Sequence, residues 1–354
     1  MSTPRDVAIV SFAQRPAVRA ERQADDTEML LPVLTEAIAR SGIAKKDLGF
    51  TCSGSCDYLI GRPFSFVSAL DAVGAWPPIS ESHVEMDGAF ALYEAWVRLQ
   101  HGDIDSALVY SFGKSSLGNL REVMVMQLDP YVLAPLWPDS IALAALQARA
   151  LIDSGRASER DMAEVAARSR RSALANANAH VKGDFDVDQL LREPHLVAPL
   201  RKHDCPPISD GAAAIVLAAG DLARKVCARP AWIRGIDHRI EPHSPGARDL
   251  TRSSSTKIAG QKAGVAEADI DVAELHAPFS HQEIILRDAL GLGASVDVNP
   301  SGGALGANPM MVAGLTRFGE AASRIIDGRA RRAVAHATSG PCLQQNLVAV
   351  LEAR

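Results

Sequence analysis

A histidine stands at the end of a predicted strand in the stretch Asp271–Ser280. The short apolar run Val272–Leu275 leads into His276, and Pro278 then prevents the strand from continuing because it has no backbone N–H to donate. Helical spacing of apolar residues resumes after Ser280, so the pattern is strand, turn and helix. Open α/β sheets bind ligands at the carboxyl ends of their strands, where a histidine can donate a hydrogen bond or transfer a proton. The alternative is a histidine that only fills a βα loop.

Other segments predict the elements that must position this side chain. Val7–Phe12 and Ser106–Gly113 are continuous apolar runs typical of buried strands. Met29–Ser41, which ends before Gly42, and Ala89–Leu99 carry apolar residues at helical spacing. This alternation of strands and helices predicts an α/β protein.

Two segments of the second half repeat segments of the first half in the same order. The segment that begins at Gly264 resembles the one that begins at Gly42, at an offset of 222 residues. Ala333–Gly340 resembles Ala107–Gly113 at an offset of 226 residues. Nearly equal offsets in the same order predict an internal duplication.

The first half contains a long insertion at about 114–203. It is rich in Arg and Ala, and its composition predicts helix from Ser140 to Ala179. Long insertions of this kind usually shape a substrate pocket or a partner interface. We therefore expect an N-terminal half of residues 1–225 that carries the insertion and a C-terminal half of residues 226–354.

Composition excludes several classes of protein. The 354 residues are 47% hydrophobic but only 5% aromatic, and the net charge of -5 argues against a nucleic-acid-binding protein. No apolar run is long enough to span a membrane. The five cysteines occur without a secretion signal, which predicts a cytoplasmic protein. Cys52 and Cys56 have no second pair at zinc-finger spacing, so no metal site is expected.

Three motifs carry a family resemblance. The segment Asp204–Leu217 is similar to the Asp-Cys-x-Pro-x-Ser-Asp-Gly-Ala-Ala signature of the sterol-carrier-type and lipid-transfer branch of the thiolase superfamily. His276–Ser280 resembles that branch's His-Asp-Cys-Phe-Ser motif. Asn299–Gly303, followed by Ala307–Pro309, resembles its Asn-Pro-x-Gly-Gly and Gly-His-Pro motifs. The resemblance covers the whole chain and implies a five-layer αβαβα fold built from two βαβαβαββ halves, a homodimeric core and acyl-CoA ligands.

The chain departs from the thiolase pattern at three positions. Where a thiolase carries its nucleophilic cysteine at a helix N-terminus, this chain has Gly88 or, one residue earlier, Asp87. The histidine that activates the nucleophile is replaced by Asn308, which can donate a hydrogen bond but cannot accept a proton. The Cys-x-Gly motif is replaced by a segment containing His336 and Cys342. Because neither position 87 nor position 88 is a cysteine, an acyl-thioester intermediate at this helix N-terminus is excluded.

The resemblance to steroid side-chain acyl-CoA aldolases, which also lack that cysteine, predicts retro-aldol cleavage of a β-hydroxyacyl-CoA. The substrate would carry a sterol or bile-acid side chain, coenzyme A would enter as part of it, and no other cofactor is expected. The predicted catalytic residues are His276, Asp87, His336 and Cys342. The residues predicted to bind the substrate or its oxyanion are Asn308, Gly88, Ser280 and Gly303.

Alternatives remain for the residues and for the protein. Asp87 could simply cap a helix, Cys342 could be an inert buried thiol, and Asn308 could only set a turn. The protein could be a catalytically silent acyl-CoA or sterol-binding subunit, or a thiolase that uses Cys342. The resemblance also implies a small OB-fold partner.

Overall fold

The computed structural model describes residues 4–354. Within this range the apolar runs form strands and the segments of helical periodicity form helices, twelve strands and thirteen α-helices in all. The strands are β1 (Val7–Gln14), β2 (Phe50–Gly54), β3 (Glu81–Val84), β4 (Ser106–Lys114), β5 (His195–Val197), β6 (Leu200–Arg201), β7 (Asp210–Ala219), β8 (Ala231–Ile240), β9 (Val272–Leu275), β10 (Asp297–Val298), β11 (Arg332–Ser339) and β12 (Gln345–Glu352). The helices are α1 (Asp26–Ser41), α2 (Asp57–Ile60), α3 (Ser65–Val73), α4 (Gly88–Leu99), α5 (Leu120–Val125), α6 (Ser140–Asp153), α7 (Glu159–Ser172), α8 (Val187–Leu191), α9 (Gly220–Val226), α10 (Ser254–Ala263), α11 (Ser280–Leu290), α12 (Gly303–Gly306) and α13 (Ala313–Ile326).

Ten strands form one sheet with two equivalent halves. The strand order is β10-β9-β11-β12-β8-β1-β7-β4-β2-β3, and β5 pairs only with β6. In the first half, β1, β7 and β4 are antiparallel neighbours, and β4, β2 and β3 run parallel. In the second half, β8, β12 and β11 are antiparallel neighbours, and β11, β9 and β10 run parallel. The halves join where Ala8 pairs with Trp232 and Ile9 with Ala231. The duplication predicted from the sequence is confirmed.

The helices lie in three layers around these two half-sheets. Buried residues of α4 and α13, among them Phe90 and Phe318, pack between strands of both halves. Buried residues of α1 and α3 cover the outer face of the first half, and those of α10 and α11 cover the outer face of the second. The result is the αβαβα arrangement expected from the sequence. No helix within residues 4–354 combines the length and apolarity needed to cross a membrane.

Glycines end equivalent helices in the two halves. Gly42 follows α1 with a φ of 68°, and Gly264 follows α10 with a φ of 83°. A residue with a Cβ is strained in this left-handed conformation, which explains why both repeated segments begin with glycine. Within the insertion, the helical region predicted after Ser140 is divided into α6 and α7. Gly155 is left-handed there, and Ser158 then starts α7 with a capping box.

Candidate active site

A cavity of about 380 Å³ opens where the parallel strands of both halves end. Loops after β3, β9 and β11 form part of its wall, and α5 and α6 of the insertion form another part. This is the sheet edge at which α/β proteins bind ligands. The cavity is lined by a few polar groups and by many apolar side chains, including Met86, Met124, Met126, Met310, Met311, Leu59, Leu120, Val123, Leu143, Ile208 and Phe279.

His276 and Asn308 form a hydrogen-bonded pair on the cavity wall. His276 follows β9 directly, and its Nε2 lies 3.0 Å from Asn308 Oδ1. The backbone N–H of Thr338 points at His276 Nδ1 from 3.4 Å. Because Nδ1 faces a donor, the proton of the neutral ring belongs on Nε2, which donates to Asn308 Oδ1. Burial lowers the pKa of His276 to about 4, so the ring is neutral near pH 7.

This pairing leaves the amide group of Asn308 as a donor towards the cavity. Its Oδ1 accepts from His276, and its Nδ2 donates to no protein group among residues 4–354. The backbone N–H of Asn308 donates to Ser209 Oγ at 3.0 Å, which fixes the main chain at this point. Asn308 Nδ2 can therefore donate to a ligand oxygen, and His276 orients the amide. Asn308 was predicted to bind an oxyanion, and its position on the cavity wall suits that role.

Asp87 lies where the N-termini of two helices meet. It caps α4 through Ala89 N at 2.9 Å, and it accepts from Gly314 N and Leu315 N of α13, each at 2.9 Å. Burial raises the pKa of the Asp87 carboxyl, and these backbone N–H groups partly offset the shift. Asp87 lines the cavity, but both of its oxygens are occupied by helix ends. The end of α4 thus holds a carboxylate, in the region where a thiolase would hold a thiolate.

Gly88 has no room for a side chain. A Cβ at this position would lie 2.5 Å from Ser111 Oγ and 2.9 Å from a methyl group of Leu315. The Gly88 N–H donates to Met311 O at 2.8 Å, so it is not free for a substrate oxygen.

Cys342 lines the cavity but is held as a thiol. Its Sγ lies 3.4 Å from the Leu143 carbonyl, and burial raises its pKa to about 11. Its φ of 55° places it in a strained left-handed conformation, and Gln147 and Arg248 both donate to its carbonyl oxygen. A thiolate nucleophile is disfavoured at such a site.

Besides Gly88, three predicted site residues lie away from the cavity lining. His336 is fully buried, its Nε2 is 3.0 Å from Asn346 Oδ1, and burial lowers its pKa to about 3. Ser280 Oγ donates to Asp204 at 2.6 Å. Gly303, with a φ of 57°, lines a separate water-sized cleft of about 20 Å³. The carbonyl oxygen of His336 nevertheless accepts the backbone N–H of His276 at 3.2 Å and so helps to hold the main chain of the site.

The segment that carries the most specific motif ties the cavity walls together. Asp204 holds Ser280 at the start of α11, and Ser209 holds the backbone of Asn308. Asp210 accepts from Ser116 N at 3.0 Å, and this bond fixes the chain that leaves β4. The motif had pointed to these residues without indicating a role for each. Glu85, a cavity-lining carboxylate two residues before Asp87, was not predicted at all.

Comparisons with known proteins agree on the fold. No protein-family model matches the chain. Among curated proteins it is similar to the benzoylsuccinyl-CoA thiolase subunit BbsB of Thauera aromatica (24% identity over 56% of this chain and 59% of that one). It is also similar to the acetyl-CoA acetyltransferase of Methanothermobacter thermautotrophicus (28%, over 53% and 57%) and to sterol carrier protein 2 of Gallus gallus (24%, over 70% and 54%). The aligned regions thus span little more than half the length of these curated relatives.

Two solved structures match over nearly the whole chain. The Ltp2-ChsH2(DUF35) aldolase has a TM-score of 0.82 at 18% identity and covers 99% of this chain and 98% of that one. The Bacillus anthracis acetyl-CoA acetyltransferase has a TM-score of 0.78 at 16% identity and covers 100% of both chains. Together with the duplicated halves and the motifs around the cavity, these findings show that the chain has the thiolase fold and is similar in sequence to thiolases and to sterol carrier proteins, and they support the predicted lipid-transfer branch.

Proposed function

We propose that the chain is a carbon–carbon lyase that cleaves a β-hydroxyacyl-CoA by a retro-aldol reaction, giving a carbonyl product and a shorter acyl-CoA. One observation carries this proposal. The cavity presents the amide donor of Asn308, oriented by His276, while the end of α4 holds the Asp87 carboxylate and no thiol. The site can therefore stabilise a thioester enolate but has no cysteine at that helix end to form an acyl-enzyme.

The chemistry needs a hydrogen-bond donor at the thioester oxygen. When the Cα–Cβ bond breaks, negative charge develops on that oxygen, and a fixed donor in a cavity shielded from water stabilises it by about 3–4 kcal/mol. Asn308 Nδ2 is the group available for this role. The reaction is redox-neutral, and coenzyme A takes part only as a portion of the substrate.

The cavity lining suits a bulky apolar acyl group such as a sterol or bile-acid side chain. Five of the eight methionines in the chain line it. Methionine side chains are unbranched and adapt to irregular apolar shapes. The likeness of the chain to the Ltp2-ChsH2(DUF35) aldolase supports aldolase chemistry. The name of that structure includes a second protein, ChsH2(DUF35). By analogy, we propose that this chain forms a homodimeric core and binds an OB-fold partner.

The test is incubation of the purified protein with a β-hydroxyacyl-CoA that bears a bulky apolar side chain. We expect a carbonyl product and a shortened acyl-CoA, in equal amounts and without added free coenzyme A. A strict requirement for free coenzyme A would instead indicate thiolysis. The same assay with a co-expressed partner tests whether that partner raises the rate.

A silent binding subunit is the second candidate. It is favoured because none of the predicted acid and base groups is free to transfer a proton to a substrate. Both oxygens of Asp87 accept backbone N–H groups of helices, the Cys342 thiol donates to a carbonyl, and His336 lies outside the cavity lining. Under this alternative the protein would bind acyl-CoA at equilibrium and cleave none of the substrates, with or without a partner. Tight binding without turnover would therefore replace the lyase proposal.

A further inference from the structure

A row of polar side chains crosses the edge of the first half-sheet and ends at the cavity. Ser53 of β2 and His83 of β3 are opposite each other in the parallel register. The Ser53 Oγ is 3.0 Å from His83 Nδ1, and His83 Nε2 is 3.4 Å from Glu85 Oε2. The imidazole stacks on Phe66, with the ring centres 4.6 Å apart. Both nitrogens of the ring thus have polar partners, and the ring plane is fixed.

Glu85 differs from Asp87 in how its oxygens are used. Its Oε1 accepts the backbone N–H of Asp57 at 2.6 Å, whereas Oε2 makes the longer contact with His83, and the Cys56 thiol lies beside the carboxylate. Its side chain is 48% exposed and lines the cavity together with Cys56. Cys56 stays a thiol, because burial raises its pKa and the neighbouring Glu85 carboxylate raises it further. Glu85 is thus a carboxylate with an oxygen accessible from the cavity.

We propose that Glu85 is the general base that removes the β-hydroxyl proton, an inference that rests on the proposed retro-aldol function. The O–H electron pair becomes the second bond of the new carbonyl group as the Cα–Cβ bond breaks. The Cα–Cβ pair passes into the thioester as an enolate, whose oxygen Asn308 holds. The enolate carbon then takes up the proton that Glu85 had accepted. Atoms and electrons balance without an oxidant, a reductant or a covalent intermediate.

His83 is the positioning residue in this scheme. With Ser53 Oγ–H donating to Nδ1, the Nε2–H group faces Glu85 and holds the carboxylate. When Glu85 is protonated, the opposite tautomer would let Nε2 accept from the carboxyl group. A base oriented by a second side chain is the usual arrangement for proton transfer. The other ionisable groups that line this part of the cavity are Cys56, Tyr58 and Asp87.

The test compares Glu85→Gln and Glu85→Ala with the wild type in the cleavage assay. We expect kcat to fall by about 10²- to 10⁴-fold in both variants, with acyl-CoA affinity and thermal stability retained. Sodium formate should restore turnover to Glu85→Ala, since the half-exposed position admits a small carboxylate, but should not restore it to Glu85→Gln. Glu81→Gln is the matched control, because Glu81 begins β3, the strand that ends just before Glu85, and lies outside the cavity lining.

The outcomes separate this inference from the function on which it depends. If the wild type cleaves the substrate and Glu85→Gln cleaves it at the wild-type rate, Glu85 is not the base and the lyase function stands. If the wild type cleaves no β-hydroxyacyl-CoA, both proposals are overturned. For His83 we expect His83→Phe to lower kcat about 10-fold with KM unchanged, and His83→Gln, which can still donate to Glu85, to recover most of that loss.

Discussion

At the scale of single residues, the sequence singled out two polar side chains that line the cavity but not the hydrogen bond between them. His276 and Asn308 were both expected to donate to a ligand. In the structure the His276 proton is committed to Asn308, because the N–H group of Thr338 occupies the other ring nitrogen. Thr338 is 62 residues away in the chain, and no local pattern reveals that contact.

This hydrogen bond predicts the effect of changing Asn308. Asn308→Ala should lower kcat for cleavage by about 10²- to 10³-fold with a small change in KM, since one donor to the developing oxyanion is lost. Asn308→Asp should be slower still, because a carboxylate would face the enolate oxygen. Steady-state kinetics checks both, and Asn119→Ala, at an exposed position outside the cavity lining, is the control. Wild-type kcat in Asn308→Ala would remove this residue from the oxyanion site.

At the scale of elements, Asp87 accepts hydrogen bonds from two helices that are far apart in the chain, α4 and α13. α4 and α13 occupy equivalent places in the duplicated halves, and their N-termini converge on this one carboxylate. The sequence analysis gave the α4 cap as the alternative to a catalytic role for Asp87, because Asp before a helix is a common N-cap. It could not predict the contact with Gly314 and Leu315, which depends on the packing of the two halves.

The double cap predicts a large stability effect. Asp87→Ala should lower the free energy of unfolding by roughly 2–5 kcal/mol, because it removes an N-cap and leaves buried N–H groups of two helices without an acceptor. Asp87→Asn should cost less, since one oxygen remains. Urea unfolding measures both, with Asp186→Asn, an exposed cap that accepts from one backbone N–H, as the control. Equal effects at Asp87 and Asp186 would contradict the double cap.

His336 shows why a site residue can be misjudged from sequence. It lies in the run Arg332–Ser339, where every neighbour from Ala333 to Ala337 is also buried. A strand buried on both faces has no polar–apolar alternation, so the sequence does not reveal which face a side chain occupies. The structure turns His336 towards Asn346 and away from the cavity lining.

At the scale of the whole molecule, the architecture was more predictable than the site. Repeated segments with left-handed glycines revealed the two halves, because each half must end its helix and enter its strand in the same way. The cavity itself is formed by loops of both halves and by the insertion. Contacts between segments so far apart in the chain leave no periodic signal.

The buried histidines predict that the whole fold is sensitive to acid. Burial lowers the pKa of His276 to about 4 and that of His281 and His336 to about 3. Histidines of the unfolded chain bind protons near pH 6.5. Between pH 6.5 and 4 the unfolded chain therefore holds more protons, so stability is complete above pH 6.5 and declines as the pH falls. Each such histidine should contribute a slope of about 1 kcal/mol per pH unit.

Urea unfolding from pH 6.5 to 5 checks this slope. His281→Asn and His336→Asn should each reduce it by about 1 kcal/mol per pH unit, whatever their effect on absolute stability. Burial raises the pKa of Asp87 and Glu274, so these two carboxyl groups make the stability rise as the pH falls. Their contribution cancels in the comparison, since both are present in every variant. His101→Asn changes an exposed side chain and should leave the slope as it is. An unchanged slope in both buried-site variants would mean that these rings take up protons in the folded protein, and that their burial does not couple the fold to pH.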